Sequence, residues 1–125
     1  MKIIRLGNNK GFTLLEILIA ITILCARLLG IATLTVGIIR GNLASSNITT
    51  ATTLAQNQME DIIRAGYNGA SGKMESYGNI TEFSQYKRVT VVDDNKPATD
   101  MKTVIVTVYW DSDAHSVVLR TILVK

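Results

Sequence analysis

Between Phe12 and Ile39 lie 28 residues that carry only two charges, Glu16 and Arg27. About 20 predominantly apolar residues suffice for a helix to cross a bilayer, so this stretch predicts a membrane-spanning helix. An ordinary cleaved signal has an apolar core of about 7–15 residues followed by a small-residue cleavage site. This run is longer, places an acid at its start and has no convincing A-x-A exit. The rest of the 125-residue chain has room for one small domain.

Charge is distributed with the same asymmetry. The sequence holds 13 Lys and Arg against 10 Asp and Glu, a formal net charge of +3. Three of the cations, Lys2, Arg5 and Lys10, precede the apolar run, and no acid does. Without residues 1–11, 10 basic groups face 10 acidic ones. A neutral remainder is no electrostatic footprint for nucleic acid, and none is expected as a partner. Positive charge ahead of an apolar segment holds that end on the cytoplasmic side. Cys25 is the only cysteine, so no intrachain disulfide can form. Set among Ile23, Leu24 and Leu28, its thiol reads as a small buried hydrophobe.

Helical patterning continues beyond the membrane segment. Leu43, Ile48, Ala51, Leu54, Ala55, Met59, Ile62 and Ile63 recur largely at three- and four-residue steps, with Asn47, Gln56, Asn57, Glu60 and Asp61 between them. No proline interrupts residues 12–65, and Gly66 offers a left-handed stop after Arg64 and Ala65. The helix is therefore expected to end at about residue 65, and glycines among Asn and Ser predict a loop over 66–83. Three strands follow, at about 86–92, 102–110 and 115–124. The clearest is the middle one, where Val104, Val106, Val108 and Trp110 alternate with Thr103, Ile105, Thr107 and Tyr109. The expected fold is α+β: a long N-terminal helix whose amphipathic half packs on a small antiparallel sheet.

The junction before the apolar run reads Lys10-Gly11-Phe12-Thr13-Leu14-Leu15-Glu16. Glycine lets a protease approach the backbone closely. A carboxylate at the start of an apolar helix is costly in lipid, roughly 2.5–3.5 kcal/mol by insertion scales for Asp, and asks for a partner. It also suits the positive end of a helix dipole. This junction resembles the processing site of the type IV prepilin family, which includes the type II secretion and competence pseudopilins. The resemblance implies a pilin-like fold and cleavage after Gly11 by a prepilin peptidase and methyltransferase. Phe12 would then be N-methylated, and Glu16 would meet the Phe12 amine of an adjacent subunit. The implied layout is a leader over 1–11, a transmembrane and filament-core helix over 12–39, and a headpiece over 40–125 outside the cytoplasm. The implied partners are other pilin subunits, the processing enzyme, the inner-membrane assembly platform and membrane lipid.

Two departures qualify the resemblance. The mid-helix proline of major pilins is missing, with Thr33 near its place. Arg27 is also unexpected. It lies eleven residues after Glu16, on nearly the same helix face but about 16 Å further along, so it either snorkels or meets a staggered neighbouring helix. The stretch Ala55-Gln56-Asn57-Gln58-Met59-Glu60-Asp61-Ile62 is similar to a region of minor pilins of the PilV kind and pseudopilins of the GspI kind, and so is the pattern around Val106–Trp110 and Val118–Thr121. The resemblance thus points to a minor pilin of a type IV pilus, with a type II secretion pseudopilin as the alternative. A signal-anchored membrane protein with a small ligand-binding domain is the reading from another class.

Other candidate sites are weak. Asp93, Asp94, Asp111 and Asp113 suggest calcium, but a calcium ion wants about six to eight oxygens, and Asp is common in turns for backbone reasons. His115 reads as a strand-end residue, and Trp110 and Tyr109 as core and sheet face. No nucleophile–base pair, phosphate loop or metal-spaced Cys/His set occurs. Catalysis, a cofactor and a metal are not expected.

Overall fold

The computed structural model describes residues 11–125, so the basic leader with Lys2, Arg5 and Lys10 lies outside the described residues. One long helix, α1 (Leu14–Gly69), precedes four strands: β1 (Lys73–Glu75), β2 (Tyr86–Asp94), β3 (Met101–Trp110) and β4 (His115–Val124). The chain divides into two compact units, Met1–Gly41 and Asn42–Lys125.

In the first unit, the described helical residues are exposed throughout. Mean hydropathy reaches 2.4 there, in a helix long and apolar enough to cross a membrane. Cys25 is exposed with the rest of this apolar surface. The threonines show how polar side chains are accommodated in such a segment. Thr22 donates to the Leu18 carbonyl (2.8 Å) and Thr35 to that of Ile31 (3.0 Å). Thr33 donates to the carbonyls of Gly30 (2.8 Å) and Leu29 (3.3 Å). Each hydroxyl is thereby satisfied within its own helix, as a lipid environment requires.

In the second unit, the helix packs on a four-stranded antiparallel sheet in the order β1-β2-β3-β4. Ala51, Leu54, Ala55, Met59 and Ile62 are buried on the helix side. They face Tyr86, Val104, Val106, Val108 and Trp110 from the sheet, with Ala70 and Ile80 closing the cluster. The alternation of β3 places its valines inward because successive strand side chains point to opposite faces. Leu43, Ile48 and Ile63, part of the same sequence stripe, are instead exposed. Ala51 and Ala55, at i and i+4, are fully buried in this face. Rings of Phe83, Tyr86, Trp110 and His115 form a row, with centroids 6.3, 6.4 and 5.6 Å apart in turn.

The helical stretch carries past the expected end, but Gly66 breaks it with φ 72° and ψ −175°, a region open to glycine. The stretch expected as loop contains β1. This strand pairs Lys73, Met74 and Glu75 with Thr90, Val89 and Arg88. Gly72 permits that approach, since a Cβ there would stand 3.1 Å from the Thr90 carbonyl oxygen. Arg88 links three elements. It pairs with Glu75 on β1 and donates to the Leu54 carbonyl of the helix at 3.1 Å. Tyr86 makes a second tie, donating to Asn47 Oδ1 at 3.2 Å.

The β3–β4 loop holds three consecutive left-handed residues, Asp111, Ser112 and Asp113, at φ 55°, 54° and 69°. Non-glycine residues resist this conformation, and side chains hold it in place. Lys87 and Tyr77 both donate to the Asp113 carboxylate, while the Asp113 N–H donates back to Tyr77 Oη at 2.9 Å. The Lys87 bond, and then the Tyr77 bond, hold the Asp113 carboxyl below the usual carboxylate range. Burial pushes the Glu75 carboxyl up, but bonds from Lys73 and Arg88 outweigh it and leave the group below that range too.

Two expectations follow for the second unit, Asn42–Lys125. Met59→Asp buries an unpaired charge and should cost roughly 3 kcal/mol, lowering the thermal midpoint by more than about 10 °C. An unchanged melting temperature would mean that this helix face is not buried. Second, Glu75 and Asp113 release protons more readily folded than unfolded. Their stabilisation is present above the unfolded carboxylate pKa and is lost as pH falls through the lowered folded values. Melting curves between about pH 6 and pH 3 should therefore drop more steeply for the wild type than for a Glu75→Gln, Asp113→Asn double variant.

Candidate functional site

Gly11, Phe12 and Thr13 are not helical, and α1 begins at Leu14. Thr13 sets this boundary. Its Oγ1 accepts the Glu16 N–H at 3.2 Å, and its carbonyl accepts the Ile17 N–H at 3.2 Å. These are the bonds of an N-cap residue, which satisfies amides left without partners in the first helical turn. The Thr-x-x-Glu spacing from Thr13 to Glu16 is the sequence signature of a capping box. That signal was available in the sequence, yet Thr13 was assigned no role there beyond its match to the prepilin junction.

The cap puts the Gly11–Phe12 peptide bond outside the helix, where its N–H and C=O are not tied into the ladder. Gly11 is exposed, and a Cβ built on it would meet nothing within 4 Å. Phe12 is 80% exposed. A non-helical, exposed peptide bond beside a side-chain-free residue is open to a protease active site. Glu16 follows in the first helical turn, where an acid suits the dipole.

The structure brings Gly11, Phe12 and Glu16 together around the helix start and leaves Arg27 apart. Arg27 lies three turns along the helix, exposed. At 1.5 Å per residue it is about 16 Å beyond Glu16, out of reach of a pair within one chain. Arg27 and Glu16 make no salt bridge among the described residues.

The remaining sequence candidates have other local partners. Asp113 is taken up by Lys87 and Tyr77, Asp94 lies 3.1 Å from Lys102 and Asp93 lies 3.8 Å from Lys96. No group of three or more His, Cys, Asp or Glu side chains suited to a metal occurs among the described residues. His115 opens β4 and stacks on Trp110. Trp110 is buried in the core, and Tyr109 is half-buried on the opposite face.

Residues 6–26 match the family model of the prokaryotic N-terminal methylation motif. No curated protein and no solved structure matches the chain. The matched motif is the type IV prepilin signature, and it implies processing by a prepilin peptidase and assembly with other pilins. Proteins that carry it are structural rather than enzymatic. The apolar helix and the motif together fit anchoring in a membrane and then incorporation into a filament. With the type IV prepilin signature at residues 6–26 ahead of a long apolar helix and a small antiparallel sheet, the chain has a pilin-like arrangement.

Proposed function

We propose that the chain is a minor pilin that helps to initiate, assemble or modify a type IV pilus. The observation that carries this reading is the uncovered Gly11–Phe12 peptide, held out of the helix by the Thr13 cap directly ahead of Glu16. In this reading residues 1–11 are a leader, 12–39 a single-pass segment of the inner membrane that becomes filament core, and 40–125 a headpiece outside the cytoplasm. Hydrolysis after Gly11 adds water across the amide. It leaves a carboxylate on Gly11 and an ammonium on Phe12, whose nitrogen is then methylated. The Glu16 carboxylate of one subunit attracts the Phe12 ammonium of the next. In a site without water that attraction is strong, and it offsets the desolvation of both groups.

The mid-helix supports a minor rather than a major subunit. Thr33 stands near the place of the major pilins' proline, and the helix is continuous there. A pseudopilin of a type II secretion system uses the same leader and helix, and the similarity of residues 55–62 extends to that group. Genomic neighbourhood separates the two systems. N-terminal sequencing separates both from a signal-anchored protein, because a methylated phenylalanine start excludes an uncut anchor.

Gly11→Val should block leader removal, because the branched side chain obstructs the scissile bond, and an immunoblot would show the unprocessed size. Normal processing of that variant would mean that Gly11 does not mark the cut. Glu16→Ala should leave cleavage and membrane insertion intact but reduce recovery in sheared filaments by roughly tenfold or more, the loss of about 1.4 kcal/mol or more of pairing. Glu16→Gln, which keeps the shape and loses the charge, should also be impaired. Wild-type recovery of both variants would reduce Glu16 to a helix-start acid.

A further inference from the structure

The charges of the apolar segment do not balance once the leader is gone. Between Phe12 and Ile39 the chain carries one acid, Glu16, and one cation, Arg27. While the leader is attached, the Phe12 nitrogen is a neutral amide and the segment is neutral. Cleavage after Gly11 turns that nitrogen into an ammonium and leaves two cations to one carboxylate. N-methylation keeps the amine basic, so it does not remove the excess.

No rearrangement within one subunit resolves this. Glu16 and Arg27 are fixed on one uninterrupted helix, about 16 Å apart along its axis. The structure gives Arg27 no hydrogen bond or ion pair among the described residues, and the side chains around it are Ile23, Leu24, Leu28 and Ile31. The nearby hydroxyls of Thr22, Thr33 and Thr35 are already donated to backbone carbonyls. Identical copies cannot supply the deficit either. Each new copy brings one acid and two cations, so a stack of copies leaves one cation per subunit uncompensated in a core without water. Such a charge demands a partner.

Resting on the prepilin reading above, we propose that Arg27 is the docking point for a different pilin chain, whose apolar helix carries a carboxylate beyond the one near its N-terminus. The observed charges define this partner: a membrane helix with one acid to spare, placed where it meets Arg27 when the helices pack side by side. The chain thus takes a heteromeric neighbour, and leader cleavage creates the need for it. A guanidinium suits the contact because its planar fork binds a carboxylate through two parallel hydrogen bonds.

The test uses full-length chains in membranes that contain the prepilin peptidase, with donor and acceptor fluorophores fused to two copies. One copy is wild type. The other, as the probe, is either wild type, Arg27→Glu, or Arg27→Leu with a single glutamate replacing Ala20, Ile23, Leu24, Ile31 or Leu34. These positions share the Arg27 face and scan the axial offset. Wild type with wild type should associate weakly. At least one acidic probe should associate about tenfold more tightly, and Arg27→Leu in the first copy should abolish that gain. Acidic probes that all behave like wild type would mean that Arg27 faces lipid, and the proposal fails. Strong wild-type self-association that Glu16→Gln abolishes would mean that a second copy suffices, which also overturns it. Blots of the same membranes read leader cleavage. An uncut leader removes the prepilin reading and this proposal together, whereas a cut leader with no gain in association removes only the latter.

Discussion

An apolar helical surface that stands open among the described residues is the constraint on which the rest of this molecule depends. From Phe12 onward the large side chains of the first unit stand open, among them Leu14, Leu18, Leu29, Leu34 and Ile38. An exposed apolar surface of this extent is stable only against lipid or against like helices. Both environments exclude water, and that exclusion governs each polar group in the segment. Threonine hydroxyls turn back onto their own carbonyls, and the first-turn amide of Glu16 is taken by the Thr13 side chain. Groups that can be satisfied locally are satisfied locally. Only the charges are left to be matched from outside.

The second unit obeys the opposite economy. Its core is one helix face against three inward strands, and its ionic contacts are internal. Arg88 joins β1, β2 and the helix, and Lys87 with Tyr77 secures a loop of three left-handed residues. Fixing such a loop costs conformational entropy and some backbone strain, and the bonds to Asp113 offset that cost. The two units thus differ in what completes them. One is finished by its own contacts, and the other by its surroundings.

Sequence reading recovered those parts of the fold, and the prepilin signature, that are written locally. The prepilin junction is a contiguous run, and the inward valines of β3 follow from strict alternation. Contacts that depend on distant segments were not legible. The three residues of β1 are too few to show a period, and they form a strand because Arg88 and Val89 lie opposite them. The bonds of Arg88 to the Leu54 carbonyl and of Tyr86 to Asn47 join positions 34 and 39 residues apart. Periodicity also overstated the buried stripe. Leu43, Ile48 and Ile63 share it but remain exposed, because a spacing rule marks apolar positions without knowing how wide a surface the sheet offers.

The bond between Arg88 and the Leu54 carbonyl has a mechanical consequence. Where helix meets sheet, the small Ala51 and Ala55 alternate with the larger Leu54, Met59 and Ile62 on the buried helix face. Apolar contact is non-directional, and directed hydrogen bonds add a fixed axial register to it. Arg88 and Tyr86 pin the strands to Leu54 and Asn47, about two helical turns apart. A pull along the helix axis would reach the sheet as shear on these two pins. The ion pair of Arg88 with Glu75 then passes that load from the second strand to the first. Within Asn42–Lys125, helix and sheet are therefore tied along the helix axis by a guanidinium and a phenol, beside the apolar core that holds the two layers together.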